Sequence, residues 1–264
     1  MRCLKVSWRK SECYDKVNLM TKVLGIIPAR IGSTRIPEKM LMDLAGKTLI
    51  ERTYERSAKA NCLDALIIAT DSDRIAEAVR PLQARVIMTA IHHKNGTERA
   101  SEALKKFDEF VPDIVVVIWG DEPLYPASVI DLCVDKLKED SELQVAVAAD
   151  KIIESEMFAA ESVVKIVTDT NDHALYISRA KIPHMYTKES HTSYHVIGAM
   201  AMRTDFLLKY VSMAQTPLER MEGVEQLRII ENGYKLGVVK GNFHNLGVNT
   251  PEELEEVRRR YESI

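Results

Sequence analysis

VLGIIPARIGSTRIPEK, residues 23–39, is an apolar run that breaks into a cationic loop. Val23 to Ile27 is short, continuous and rich in branched side chains, as expected of a strand buried on both faces of a parallel sheet. Arg30, Arg35 and Lys39 follow it, and Gly32 and Ser33 allow the backbone to bend close to a ligand while offering N–H and hydroxyl donors. Open α/β sheets bind their ligands at this place, the carboxyl end of a strand. The plainer alternative is a solvated loop carrying ordinary surface charges. The chain contains neither G-x-x-x-x-G-K-[ST] nor G-x-G-x-x-G, which removes the main support for a P-loop kinase or a nicotinamide dehydrogenase. What remains is a loop that offers side-chain cations to a polyphosphate.

Outward from this stretch the pattern alternates. Gly46 and Lys47 lead into an amphipathic helix ending near Ala60, followed by a buried run from Ala65 to Asp71, a helix through Ile75, Ala76 and Val79, and a strand over Arg85 to Met88. A helix from about Thr97 to Phe110, with Thr97 as its cap, precedes the most apolar strand, Asp113 to Trp119. Such alternation predicts a mainly parallel sheet with right-handed crossovers, hence an α/β fold. After a helix over 127–138 and a strand over 144–149, three segments at 163–168, 174–178 and 194–202 read as antiparallel strands. They suggest a lobe, at about 160–215, that covers the pocket or pairs two subunits. Residues 216–232 read as one helix stopped by Gly233, 235–239 as a strand, and Thr250-Pro251 as the cap and first turn of a final helix.

The chain has 264 residues, 46% of them hydrophobic, enough for one substantial domain over 20–264. Residues 1–19 read as a disordered leader upstream of Met20. A net charge of -3 gives no global attraction to nucleic acid or to an anionic membrane. No run approaches the length of a membrane span, and four cysteines without C-x-x-C spacing argue against a zinc site or disulfide framework; a reducing cytoplasm is the simplest setting.

Two loops carry the expected chemistry. In TAIHHKNGTER, residues 89–99, the Asn95-Gly96 turn can bring backbone donors to a flat polar ligand such as a base, while His92 and His93 read as plain loop histidines. The strand ending at Trp119 runs into Gly120-Asp121-Glu122-Pro123. Asp121 is placed either to share Mg²⁺ with phosphate oxygens or simply to form a turn.

IPARIGSTRIPEK, HKNGTERA, WGDEPLYP, LYISRAKIP, PLERMEGVEQLR and GVNTPEEL, in this order and spacing, resemble the 3-deoxy-manno-octulosonate (Kdo) cytidylyltransferases over nearly everything after Val23. The resemblance implies a Rossmann-like nucleotidyltransferase fold, a homodimer, Mg²⁺ as cofactor, and activation of an acidic sugar by CTP with release of pyrophosphate. It places Arg30, Ser33 and Lys39 on the triphosphate, with Arg30, Lys39 and Asp121 as the catalytic set. Thr89, Gly96 and Thr97 would surround the cytosine, and Asp121 and Asn249 would face the metal. Arg179, Glu225, Gln226, Trp119 and Met200 would face the acceptor, Arg179 gripping its carboxylate.

The sequence also departs from the family pattern, which has Gln at Trp119, His at Val196, Tyr at Met200 and Asp at Asn249, and favours Gly and Pro at Glu38 and Met40. These changes remove polar groups expected near the acceptor and a carboxylate expected on the metal. A one-residue slip in the strand would let His195 supply the missing imidazole. Two alternatives stay open: cytidylyl transfer to another acid, such as a different ulosonic acid or a phosphonate, and a weakly active nucleotide-binding homologue.

Overall fold

A computed structural model describes residues 21–32, 36–186 and 192–263. The leader expected at 1–19 and Ser33 therefore lie outside the described residues. The first half is the alternation expected: β1 (Val23–Ala29), α1 (Leu49–Ser57), β2 (Ala65–Thr70), α2 (Asp73–Ala78), β3 (Arg85–Met88), α3 (Gly96–Lys106), β4 (Ile114–Ile118), α4 (Ser128–Glu139) and β5 (Val145–Lys151). Strand β1 pairs in parallel with β2 and β4, Ile26 standing opposite Ile67 on one side and Val117 on the other. Successive side chains feed two cores: Val23, Ile27, Val116 and Ile118 face one cluster, Leu24, Ile26, Val115 and Val117 the other. Burial of both faces is why these strands are continuously apolar in sequence.

The second half is α5 (Ser155–Ala159), β6 (Lys165–Thr168), β7 (Ala174–Ser178), β8 (Tyr194–Arg203), α6 (Thr204–Ser212), α7 (Pro217–Glu222), α8 (Leu227–Glu231), β9 (Leu236–Gly241) and α9 (Pro251–Glu262). The sheet order is β3-β2-β1-β4-β8-β5-β9, with β6 and β7 attached at β8. Strand β8 is antiparallel to both β4 and β5. The antiparallel element thus lies in the middle of the sheet, and only the β6–β7 hairpin projects as a lobe.

Strand β8 is irregular at one point. Met200 stands opposite Val147 but Ile197 opposite Ala148, so β8 carries two extra residues, Gly198 and Ala199, against β5. Gly198 has φ +69, and a Cβ there would lie 3.2 Å from the Tyr125 ring. Both the backbone conformation and the close approach require glycine. Beyond this bulge Met200 is fully buried in the core with Val115, Val117 and Val147. It does not reach the cleft described below, so its expected place beside the acceptor is corrected: the strand turns this side chain into the apolar layer.

The expected single helix over 216–232 is broken. Gly223, at φ +62, ends α7, and Val224 to Gln226 form a short connection before α8. Gly in the left-handed region is a common helix stop, and here it frees Glu225 and Gln226 from a helix surface. At the start of α3, Asn95 rather than Thr97 is the cap, its side chain accepting from Glu98 N–H at 2.8 Å. Glu38, where the family favours Gly, has φ +52. The preference has a backbone cause.

Candidate active site

The loops after β1 and β4, the start of α3, the near end of β8 and the segments after α7 and β9 surround one cleft. It consists of two adjoining cavities, of about 300 and about 390 Å³, that share Asn95, Trp119 and Asp121.

The smaller cavity is lined by Pro28, Arg30, Gly96, Arg99, Gly120 and Asp121 among others. A Cβ on Gly96 would lie 2.9 Å from Pro28 Cγ, so glycine lets α3 begin hard against the end of β1. Arg30 is exposed at the rim. Arg99, on the buried face of α3, donates to Asp71 Oδ2 at 2.9 Å and to Thr89 Oγ1 at 2.6 Å. Thr89 therefore lies behind Arg99 instead of lining the cavity. Thr97 is fully buried and lines neither cavity; its hydroxyl faces the Glu225 carboxyl. Lys39, nearly buried, donates to Asp121 Oδ2 at 2.6 Å and to the Val248 carbonyl at 2.8 Å. It ties the first loop to the loop after β4 and to the segment before α9.

The larger cavity is lined by Trp119, Arg179, Val196, Glu225, Gln226 and Asn249, and also by Glu122, His195 and Asn245. Arg179 donates from Nε to Glu222 O at 2.8 Å, from Nη1 to Glu161 O at 2.9 Å and from Nη2 to Gly223 O at 3.4 Å. The Glu222 carboxylate in turn accepts from Arg179 N–H and the Ser178 hydroxyl. Two of the guanidinium's N–H groups thus fix the Gly223 turn and a third ties it to Glu161, leaving the remainder of the fork for a ligand. Next to that turn, Tyr210 donates to the Glu225 carbonyl at 2.9 Å, and buried Arg228 pairs with Glu219. Together they hold the short segment that presents Glu225 and Gln226.

Two carboxyls here are displaced upward. Burial, then the charge of neighbouring Asp121, pushes Glu122 up to about 8, against hydrogen bonds donated by Gly198 N–H and Asn245 Nδ2. Burial pushes Glu225 up to about 7, opposed by the Thr97 hydroxyl and by Arg228. Burial holds His195 below its ordinary range, with Lys165 adding to the effect and Asp150 opposing it.

A metal would have to use what lies around Gly247. A Cβ on that residue would be 3.3 Å from Asn249 Nδ2 and 3.7 Å from the Asp121 carbonyl, so positions 121 and 249 do converge. Among the described residues no three of His, Cys, Asp and Glu form a metal cluster. One carboxylate and one amide fit Mg²⁺, which often takes few protein ligands and completes its octahedron with phosphates and water.

Arg99, Glu122 and Asn245 line the cleft without having been expected there. Arg99 follows Thr97 by two residues within HKNGTERA, and Glu122 follows Asp121 in GDEP; both motifs pointed to the right loops. Asn245 belongs to no motif, and only the packing of the segment after β9 brings it in.

The family model described as Cytidylyltransferase matches residues 24–236. A 3-deoxy-manno-octulosonate cytidylyltransferase of Geobacter metallireducens is 39% identical over 89% of this chain and 96% of its own length. One from Fusobacterium nucleatum is 41% identical over 89% and 95%. Among solved structures, a CMP:2-keto-3-deoxy-manno-octonic acid synthetase complexed with CTP superposes with a TM-score of 0.85 at 33% identity, covering 92% of this chain and 99% of its own. A cytidylyltransferase from Leptospira borgpetersenii, at 18% identity and TM-score 0.63, shares the fold.

Proposed function

This chain belongs to the 3-deoxy-manno-octulosonate cytidylyltransferase family, and we propose that its cleft transfers CMP from CTP to Kdo, releasing pyrophosphate. The observation that carries the reading is the pair of adjoining cavities meeting at Asp121, one lined by Arg30 and Arg99 and the other by Arg179, Glu225 and Gln226. CTP takes the smaller cavity. Arg30 and Lys39 hold its phosphates, and the Gly96 turn accommodates the cytosine, with Thr89 acting through Arg99 and Thr97 through Glu225. The acid takes the larger cavity, its carboxylate toward Arg179 and Trp119 forming one wall.

The acceptor's anomeric oxygen bonds to the α-phosphorus as the bond to the bridging oxygen of the β-phosphate breaks, and the hydroxyl proton goes to solvent. Lys39 and Arg30 stabilise the charge left on the pyrophosphate. Mg²⁺, held by Asp121 and the Asn249 amide oxygen, would add Lewis-acid stabilisation to the phosphate oxygens.

Pairing of two copies is proposed through the β6–β7 lobe, supported by exposed Leu175 on the hairpin and exposed Met185 and Tyr186 beyond it. A reducing cytoplasm agrees with the free thiols Cys62 and Cys133. Among the described residues no helix is long and apolar enough to cross a membrane.

The test is pyrophosphate release from CTP and UTP with Kdo, other ulosonic acids and a phosphonate. Release that requires CTP and is fastest with Kdo supports the reading; turnover confined to another acid, or none, refutes it.

A further inference from the structure

Behind Arg179 lies a second cation that no ligand touches. Lys165, the first residue of β6, is wholly buried and lines neither cavity. Its ammonium donates to the carbonyls of Ala160 at 2.9 Å, of Val163 at 2.7 Å and of Arg179. An ammonium has three N–H donors, so all are spent within the protein. Burial, then the charge of Arg179, moves its pKa below the ordinary lysine value, with Glu222 and Glu161 opposing from a distance. Burying a cation without an anion in contact is costly. An apolar side chain would fill the same space without that cost, so packing alone does not account for a lysine here.

The two cations share one piece of backbone. Residues 160–164 run from the end of α5 to β6, and Ser162, Val163 and Val164 line the larger cavity. Lys165 holds this segment by the carbonyls of Ala160 and Val163, and Arg179 Nη1 holds it by the Glu161 carbonyl between them. Lys165 also holds the carbonyl of Arg179 itself, beside the point where Lys165 pairs with Ser178 across the β6–β7 ladder. Arg179 is thus fixed at its main chain by Lys165, and at its side chain by a segment that Lys165 fixes as well.

We propose that Lys165 is a positioning residue for the acceptor's carboxylate: it sets the place and angle at which Arg179 offers the remainder of its fork to the larger cavity. The assignment rests on the cytidylyl-transfer reading above, which gives the carboxylate to Arg179. A planar guanidinium grips a carboxylate through two parallel N–H bonds and so depends on its angle. A misplacement of about 1 Å in a site can cost about a hundredfold in rate. Supporting groups of this kind decide whether a contact that is present is also productive. Removing the ammonium leaves the fork in place chemically but loosens its setting, so the loss falls on the acceptor and requires Arg179.

The experiment is a double-mutant cycle with Lys165→Met and Arg179→Met, read as kcat/KM for Kdo at saturating CTP, with CTP affinity measured separately by calorimetry. Lys165→Met keeps the length of the side chain and removes the ammonium, while Lys165→Gln keeps two N–H donors without the charge. Lys165→Met is expected to lower kcat/KM for Kdo about tenfold, through KM, with CTP affinity unchanged, and Lys165→Gln to recover part of the loss. Arg179→Met is expected to lower it about a hundredfold, and the double variant no further. Losses that multiply to about a thousandfold in the double variant overturn the proposal, because Lys165 would then act without Arg179. An unchanged kcat/KM in Lys165→Met, or CTP affinity falling in parallel, overturns it too. If Lys165→Met fails to fold, Lys165→Gln takes its place in the cycle: a loss that vanishes in the Arg179→Met background supports the proposal, and a loss that persists there, or no loss, overturns it. Wild-type protein active with Kdo whose cycle fails in these ways refutes this inference alone, whereas wild-type protein inactive with Kdo refutes the functional reading and this inference with it.

Discussion

The two cavities satisfy their polar groups in opposite ways. On the nucleotide side the buried charges are matched within the protein: Arg99 with Asp71 and Thr89, Lys39 with Asp121 and the Val248 carbonyl. On the acceptor side His195, Asn245 and Glu225 keep unmet atoms, and two carboxyls are pushed toward neutrality. A site whose charges hold one another in place is preorganised for a highly charged ligand at little reorganisation cost. On the acceptor side the raised carboxyls of Glu122 and Glu225 instead make the charge of the wall depend on pH.

Removing a charge on the nucleotide side gives the largest expected effect. Arg99→Met leaves the buried Asp71 carboxylate without its cation, and unfolding in urea should show a loss of about 3 to 5 kcal/mol. A loss below about 1 kcal/mol would mean that this side is not held by its internal pairs. Lys39→Ala is expected to lower kcat/KM for CTP by roughly ten- to a hundredfold, the usual range for a hydrogen bond to a charged group; near wild-type kinetics would return the first loop to a surface role. Asn249→Asp adds a carboxylate where the cavities meet and should reduce the Mg²⁺ concentration for half-maximal rate several-fold. An unchanged requirement would place residue 249 away from the metal.

The acceptor side gives smaller and pH-dependent effects. Glu225 has its carboxyl at about 7 in the folded protein against an ordinary 4.5. Between these values the folded state keeps a proton that the unfolded chain has released, so the contribution is fully present below 4.5 and is lost as pH rises through 7. Comparing urea midpoints at about pH 5 and about pH 7.5, wild type should lose more stability than Glu225→Gln. Equal losses would show that this carboxyl is not displaced. Smallest is Glu38→Gly, which relieves a left-handed residue while giving up an exposed pair with Arg74. A rise of about 2 °C in Tm is expected; a fall would mean that the ion pair outweighs the backbone.

Much of the fold was legible because its strands are buried on both faces, so that each of β1, β2 and β4 announces itself as a short apolar run. The position of β8 between β4 and β5 was not legible, since strand order depends on contacts far apart in sequence. The helix break at Gly223 was hidden because Val224, Leu227 and Ile230 continue a helical apolar period across it. At the site, Arg30, Gly96, Asp121, Arg179, Glu225 and Gln226 were read from motifs, and all line the cleft. Met200 was misread because a two-residue bulge is invisible in an alternating pattern. Asn245 was missed because its place depends on Asp150 bonding the segment after β9.

The bulge at Gly198 divides β8 into two stretches under different constraints. Ala199 to Met202 are fully buried and clamped between β4 and β5, where a change of volume is felt throughout the sheet. Tyr194 to Val196 pair with β5 and β6 at the mouth of the cleft. A substitution in the outer stretch, where His195 and Val196 line the larger cavity, therefore acts first on the cleft, and one in the inner stretch acts first on the sheet.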